Sequence, residues 1–331
     1  MKVLLPLLAV IVLVLLAVVG VKGANLDPLF GVWIPYAALV IFVSGMIFRV
    51  IGWARSPVPY PIATTCGQQK SLPWIKADNL ESPSNSAGVI GRMALEVLFF
   101  RSLFKNTQAD YRDGGKLAYG SEKFLWVAGL AFHWTFLYIL LRHFRFFVDP
   151  IPFFVPWMEG LDGLLQIGVP RLFMTDLVIL LAVTYLVFRR ISMSQVRYIS
   201  LASDFFPLFL ILGIAISGIL MRYFIKVDLP GVKTLALGLV TLSPKMPEAE
   251  IGAIFYVHLF LISVLFAYFP FSKLVHMGGV FLSPTRNMAT NSREWRHVNP
   301  WNPPVKHHTY EEYEDDFREV MKSAGLPVEK E

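Results

Sequence analysis

Apolar and polar positions fall in long blocks along this chain rather than alternating residue by residue. Residues 3 to 21 (VLLPLLAVIVLVLLAVVGV) are apolar throughout, and residues 29 to 50 form a second block. Further blocks cover about 124 to 148, 172 to 188, 202 to 221 and 252 to 276. Each is long enough to cross a hydrocarbon core of about 30 Å as a helix. Backbone polar groups in lipid must be satisfied within their own segment. The blocks therefore predict an all-α polytopic membrane protein with six transmembrane helices. The first block follows a lone Lys2 and precedes VKGA, as in a signal peptide, but it is long for that role and is read as a retained span. The VKGANLDP connection is short enough to make the first two spans an antiparallel hairpin.

The polar stretches divide the rest. Residues 1–54 form the N-terminal transmembrane hairpin, 55–123 a loop, 124–282 the main helical region and 283–331 a tail. Within the loop, SPVPYPIATTCGQQKSLPWIK (56 to 76) holds four prolines and is expected to be irregular. VIGRMALEVLFFRSLF (89 to 104) spaces its apolar residues as an amphipathic helix, lying on the membrane surface, on a partner or on the chain's own loops. DPIPFFVPWMEGLDGLLQIGVP (149 to 170) reads as an interfacial loop and 222 to 250 as a polar connection. The tail offers an acidic helix at 309 to 324.

Composition agrees with a membrane protein: 331 residues, 55% hydrophobic and only 16% charged. The single cysteine, Cys66, excludes a disulfide framework, a cysteine-ligated iron–sulfur cluster and a CxxCH haem attachment within this chain. A net charge of +6, carried mostly in loops, reads as a topology signal and not as a nucleic-acid surface. Of the 30 lysines and arginines, 22 fall on the side bearing both ends and 8 on the other. The excess of positive residues predicts cytoplasmic N- and C-termini in a multi-pass protein of the cytoplasmic membrane.

Four histidines carry the chemistry. Residues 252 to 276 hold His258 and His276, eighteen residues and about 27 Å apart on one helix face. Residues 124 to 148 hold His133 and His143, ten residues or about 15 Å apart. Ionisable side chains in a membrane segment are costly and point to function. If the two helices run antiparallel, His133 meets His276 and His143 meets His258. Each pair could then ligate one haem between the helices, non-covalently and of b type. The spacings differ by about 12 Å of helix rise and the first pair by about 80° of rotation. Helix tilt, inclined haems and a kink at Pro270 absorb this. The plainer alternative is that the histidines hydrogen-bond across helices.

The two spacings, with FPFSKLVHM at 269 to 277, resemble the membrane cytochrome b subunit (gamma) of respiratory nitrate reductase over about 120 to 290. FRRI…QVRYISLASDFF at 188 to 206 is similar to the basic loop of that family. The resemblance implies a five-helix dihaem bundle, here with one extra N-terminal helix. SPVPYPIATTCGQQKSLPWIK and VIGRMALEVLFFRSLFKNT (89 to 107) resemble the M subunit family of the DsrMKJOP complex, extending the likeness to nearly the whole chain. That resemblance implies a subunit exchanging electrons with menaquinone in dissimilatory sulfur metabolism. It implies as partners an iron–sulfur subunit similar to heterodisulfide reductase (DsrK-like), a multihaem cytochrome c (DsrJ-like), a ferredoxin-like subunit (DsrO-like) and a second membrane subunit (DsrP-like). Quinol or quinone oxidoreductase activity is expected only in the assembled complex. Related membrane redox complexes of sulfate reducers carry similar subunits.

Other residues follow from position. Arg142 and Arg145 flank His143 and could serve haem propionates or a quinone carbonyl, or snorkel to lipid phosphates. Asp176 and Glu159 are weaker candidates as proton acceptors. His297, His307 and His308 read as surface residues, Cys66 as an inert thiol or a residue facing the iron–sulfur partner, and Trp74 and Trp301 as anchors or partner contacts. The 55–123 loop and the tail are expected to form the docking surface for the soluble partner. A transporter lacks the paired half-repeats such folds show, and a pure scaffold leaves four intramembrane histidines unexplained.

Overall fold

A computed structural model describes residues 1–56, 67–163, 171–294 and 308–330. In chain order, α1 (Leu4–Val18) runs on through a π-turn to Gly23, and a second π-turn leads into α2 (Ile34–Ala54). Helix α3 (Ser86–Phe99) precedes a hairpin of β1 (Thr107–Arg112) and β2 (Lys116–Ser121). Then come α4 (Lys123–Arg142), α5 (Phe154–Asp162), α6 (Met174–Ser192), α7 (Ala202–Tyr223), α8 (Leu229–Val240) and α9 (Ala253–Tyr268). The tail carries α10 (Tyr310–Ser323), begun by a Thr309–Glu312 capping box.

Among the described residues, five helical segments are long and apolar enough to cross a membrane: those of α1, α2, α4, α7 and α9. The remaining predicted span, at 172 to 188, is α6, whose 19 residues include Asp176, Arg189 and Arg190. Its charges are partnered. Arg189 donates to Glu122 at 2.9 Å, Arg190 lies 3.8 Å from Asp204, and Asp176 accepts from Tyr223 at 2.7 Å. Placed between α4 and α7, α6 turns these charges toward protein partners while Leu177, Leu181 and Phe188 face outward.

Helices α4, α6, α7 and α9 pack in succession, each on the next. Helix α1 fills the groove between α7 and α9, and α2 lies along α9. The core runs through Ala17, Val183, Leu210 and Leu261, all fully buried. The outward faces of α1 and α2 stay apolar, with Leu5, Leu8, Val12, Leu16, Ile47 and Phe48 exposed, as lipid requires. Helices α4 and α9 face one another without packing along their length. The N-terminus, α3 and the 272–294 segment lie at one end of the bundle, called here the terminus side, where Lys2 reaches Tyr198 O and Arg286 reaches Glu96; α5 lies at the far side, over Arg142.

Several elements differ from the sequence expectation. The first two spans pack less on each other than on the rest of the bundle, α1 on α7 and α9 and α2 on α9. A β-hairpin interrupts the all-α reading; Asp113-Gly114-Gly115 turns the chain, with Gly114 and Gly115 at φ +82 and +77. Its strands are largely exposed, so no buried face marked them in the pattern. The supposed interfacial loop contains α5. The supposed polar connection contains α8, started by Asp228, which accepts from Gly231 N, with proline in the first turn.

The largest departure concerns the sixth span, which is not one helix to His276. Helix α9 ends at Tyr268, where Pro270 removes a backbone donor; 3-10 turns at Phe269–Phe271 and Lys273–Val275 then carry the chain to His276. The two histidines therefore do not share a helix face. Arg49 of α2 secures the break, its Nε donating to Pro270 O at 2.8 Å. Hydrogen bonds to charged groups contribute about 1.5–3 kcal/mol. Arg49→Ala should lower the thermal unfolding midpoint in detergent accordingly; an unchanged midpoint would remove this contact from the account of the break.

Candidate functional site

The fold brings the four histidines together in the two expected pairs. His133 and His276 have ring centroids 6.1 Å apart at 80°, and His143 and His258 6.4 Å apart at 14°. His133 projects from the middle of α4 and His143 caps its end. His258 lies in the first turns of α9, and His276 opens a short turn beyond the helix break. His133 and His276 are exposed and His143 and His258 half-buried, so the rings line a cleft between α4 and α9.

Hydrogen bonds fix the tautomers. Nδ1 of His133, His143 and His276 meets the carbonyls of Gly129 (2.7 Å), Ile139 (2.7 Å) and Lys273 (2.8 Å). A carbonyl only accepts, so each Nδ1 carries the proton and each Nε2 keeps a free lone pair. His258 Nδ1 lies 2.8 Å from Ser217 Oγ on α7. This is the arrangement of metal-ligating imidazoles, with one nitrogen anchored and the other available.

The residues present fit a haem better than a bare ion. Among the described residues no three histidine, cysteine or acidic side chains gather where a metal could bind. Two imidazoles alone suit a metal that brings its own equatorial ligands, as a porphyrin does. An imidazole nitrogen sits about 2 Å from a metal it binds and about 1 Å from its ring centre, so two imidazoles that held one metal between them would have centroids about 6 Å apart. Both pairs match that separation.

The far side carries a buried ionic cluster beside His143. Arg142 pairs with Asp162, lies 3.6 Å from Asp176, and stacks its guanidinium 3.9 Å from the Phe173 ring centre. Asp162 also accepts from Thr175 N (2.9 Å) and Thr175 Oγ1 (2.6 Å). Arg142 is buried, so it does not snorkel to lipid, and Arg145 pairs with Glu159. The two acidic candidates thus appear as partners of the two arginines. Asp162, Tyr223 and Ser217 escaped the sequence reading because nothing in their spacing marks them.

On the terminus side, α3 lies against this chain's own α4. Trp126 and Trp134 donate to the carbonyls of Phe99 (2.7 Å) and Leu98 (2.9 Å), and Phe100 meets His133 edge-on at 4.8 Å. Around it Glu81 binds Arg101 and Lys105, Arg286 reaches Glu96 at 2.7 Å, and Thr290 N donates to Pro83 O. Burial pushes the Glu81 carboxyl up, but Lys105 and Arg101 outweigh it and hold it below its ordinary value. Residues 67–107 and 283–294 therefore form one polar platform next to His133. Trp74 is exposed on it and His308 lies beyond it, whereas Cys66, His297, Trp301 and His307 fall outside the described residues.

Residues 95–291, which hold all four histidines, match the family described as the nitrate reductase gamma subunit. The chain is 48% identical over 281 residues to the Hdr-like menaquinol oxidoreductase cytochrome b-like subunit of Archaeoglobus fulgidus, covering 83% of this chain and 84% of that one. It is 44% identical over 276 residues to the protein of the same description from Archaeoglobus profundus, covering 82% of each.

Removing one partner of a buried ion pair costs about 3–5 kcal/mol, because the other charge is left unpaired. Arg142→Gln should therefore destabilise the protein in detergent more than the double variant Arg142→Gln/Asp162→Asn does. A single variant as stable as the double one would show that the pair is not a buried unit.

Proposed function

The chain belongs to the nitrate reductase gamma-subunit family, and on that footing we propose that it is the cytochrome b subunit of a membrane quinol oxidoreductase complex. His133 with His276, and His143 with His258, hold two haem b groups between α4 and α9. The observation that carries this reading is the pair of facing imidazole couples, each with its lone-pair nitrogens free. A bound b haem supplies one-electron exchange. Two of them offset along α4 by about 15 Å divide the hydrocarbon into short hops.

The protein's own part is ligation, orientation and charge. Carbonyl-bound Nδ1 protons keep the ligand rings from turning. Of the two arginines beside His143, Arg142 is committed to Asp162, while Arg145 keeps 39% of its side chain exposed and is the cation a propionate or quinone carbonyl can reach. The relatives' description as menaquinol oxidoreductase subunits supports menaquinone as the membrane-side substrate. The distribution of lysine and arginine supports termini in the cytoplasm and a place in the cytoplasmic membrane.

The electron partner in this reading is a cytoplasmic iron–sulfur subunit similar to heterodisulfide reductase. It docks on the platform of residues 67–107 and 283–294 beside the His133–His276 pair. The finer assignment, a DsrMKJOP-type complex of dissimilatory sulfur metabolism with DsrK-, DsrJ-, DsrO- and DsrP-like subunits, rests on the resemblance of residues 56–107. In it the regions keep the roles read from their composition: hairpin 1–54, docking loop 55–123, dihaem region 124–282 and cytoplasmic tail 283–331.

Purified chain should show reduced b-haem absorption on addition of a menaquinol analogue. His143→Ala or His258→Ala should remove one haem, and His133→Ala or His276→Ala the other. Two haems persisting in any of these variants would overturn the ligand assignment. Deleting residues 308–331, which removes acidic α10, should weaken co-purification of the iron–sulfur subunit without loss of haem; undiminished recovery would take α10 out of the docking surface.

A further inference from the structure

Three of the four imidazoles anchor Nδ1 to a carbonyl three or four residues back in their own segment. His258 departs from this rule. Its Nδ1 lies 2.8 Å from the hydroxyl of Ser217, 41 residues away on α7. Ser217 Oγ is also 2.9 Å from Ile214 O. That carbonyl can only accept, so the serine proton goes to it and an oxygen lone pair is left facing the imidazole. The side chain is buried, and no bulk water competes for the contact. The next residue, Gly218, makes the approach possible: a Cβ there would stand 3.3 Å from His258 Cε1.

We propose that Ser217 is a positioning residue for His258, with Gly218 giving clearance, so that α7 is a third contributor to the far-side ligand pair. The proposal rests on the haem-ligand reading of the four histidines and deepens it. Ser217 holds the proton on Nδ1, presents Nε2 toward the cleft, and sets the basicity of the ligand. A stronger hydrogen-bond acceptor behind an imidazole makes it a more electron-rich ligand and lowers the potential of the metal it holds. The terminus-side pair has carbonyl anchors alone, whereas the far-side pair adds the Ser217 hydroxyl to its anchors. The two sites therefore differ in ligand strength through one side chain that is not itself a ligand.

The test is a redox titration, followed by visible and low-temperature EPR spectroscopy, of the haem-loaded full chain in its native membrane. The two haems are assigned by the His258→Ala and His133→Ala variants. Ser217→Ala removes the acceptor and should raise the far-side potential while the terminus-side potential stays put. Ser217→Thr keeps the hydroxyl and should hold the parental value. Gly218→Ala presses on the ring and should shift the low-spin EPR signal of the far-side haem alone. Selective loss of the far-side haem in Ser217→Ala would equally support positioning. Both haems present with unmoved or lowered potentials, or equal loss of both, would overturn it. A wild-type chain without haem, or two haems surviving in His258→Ala, would instead refute the ligand reading beneath.

Discussion

An imidazole set among membrane helices has two nitrogens to satisfy, and the bundle is arranged around that demand. Burying an unpaired polar group in hydrocarbon costs several kcal/mol. Each ring here meets half of the demand within the protein, through Nδ1. The Nε2 lone pairs are left for the cleft between α4 and α9. These two helices do not pack along their length, and their packing comes from α6, α7, α1 and α2. The succession of helices around the cleft follows from leaving that one face unfilled.

Charge is confined to the two ends for the same dielectric reason, and each end is neutralised differently. On the far side Arg142 and Arg222 stack against the Phe173 ring, at 3.9 and 3.6 Å, while Asp162 and Asp176 face Arg142. On the terminus side Asp204 draws in Lys273 at 2.7 Å and Arg190 at 3.8 Å, tying the break after α9 to the start of α7. Arg142 must be buried because α5 folds over it. Lys273 remains exposed to water. One end is thus closed by a buried ionic cluster, and the other carries a solvated basic rim.

The spans and the histidine pairing were legible because both depend on composition and on the 3.6-residue period. Helix α6 was visible as an apolar run although its terminal charges weaken the signal; those charges make sense only once their partners on α4 and α7 and at Glu122 are known. The hairpin was hidden because its strands bury nothing, although Asp113-Gly114-Gly115 marked its turn. Helix α8 was masked by its polar flanks, although Asp228 followed by Pro230 marks a helix start. Ser217 could not be found at all: a serine in a membrane helix usually bonds its own backbone, and its role exists only through a contact across 41 residues. Arg142 was placed correctly beside His143 but given the wrong environment, since the loop read as interfacial folds into α5 and covers it.

The mismatch between ten and eighteen residues disappears once the break is located. From His258 to the end of α9 at Tyr268 is ten residues, the same helical length that separates His133 from His143. The other eight residues are spent in two 3-10 turns that carry the chain sideways to His276, not onward along the axis. A continuous helix would have carried His276 about 12 Å past its partner. Pro270 is therefore what makes the terminus-side pair possible, and Arg49, Asp204 and Lys273 hold the turn it creates. The two pairs consequently rest on different supports: the far-side histidines are borne on α4 and α9 and contacted by α7, whereas His276 of the terminus-side pair stands on a turn beside the platform. The polar contacts of residues 67–107 and 283–294 thus lie next to the turn-borne histidine pair, whereas the other pair is embedded among helices.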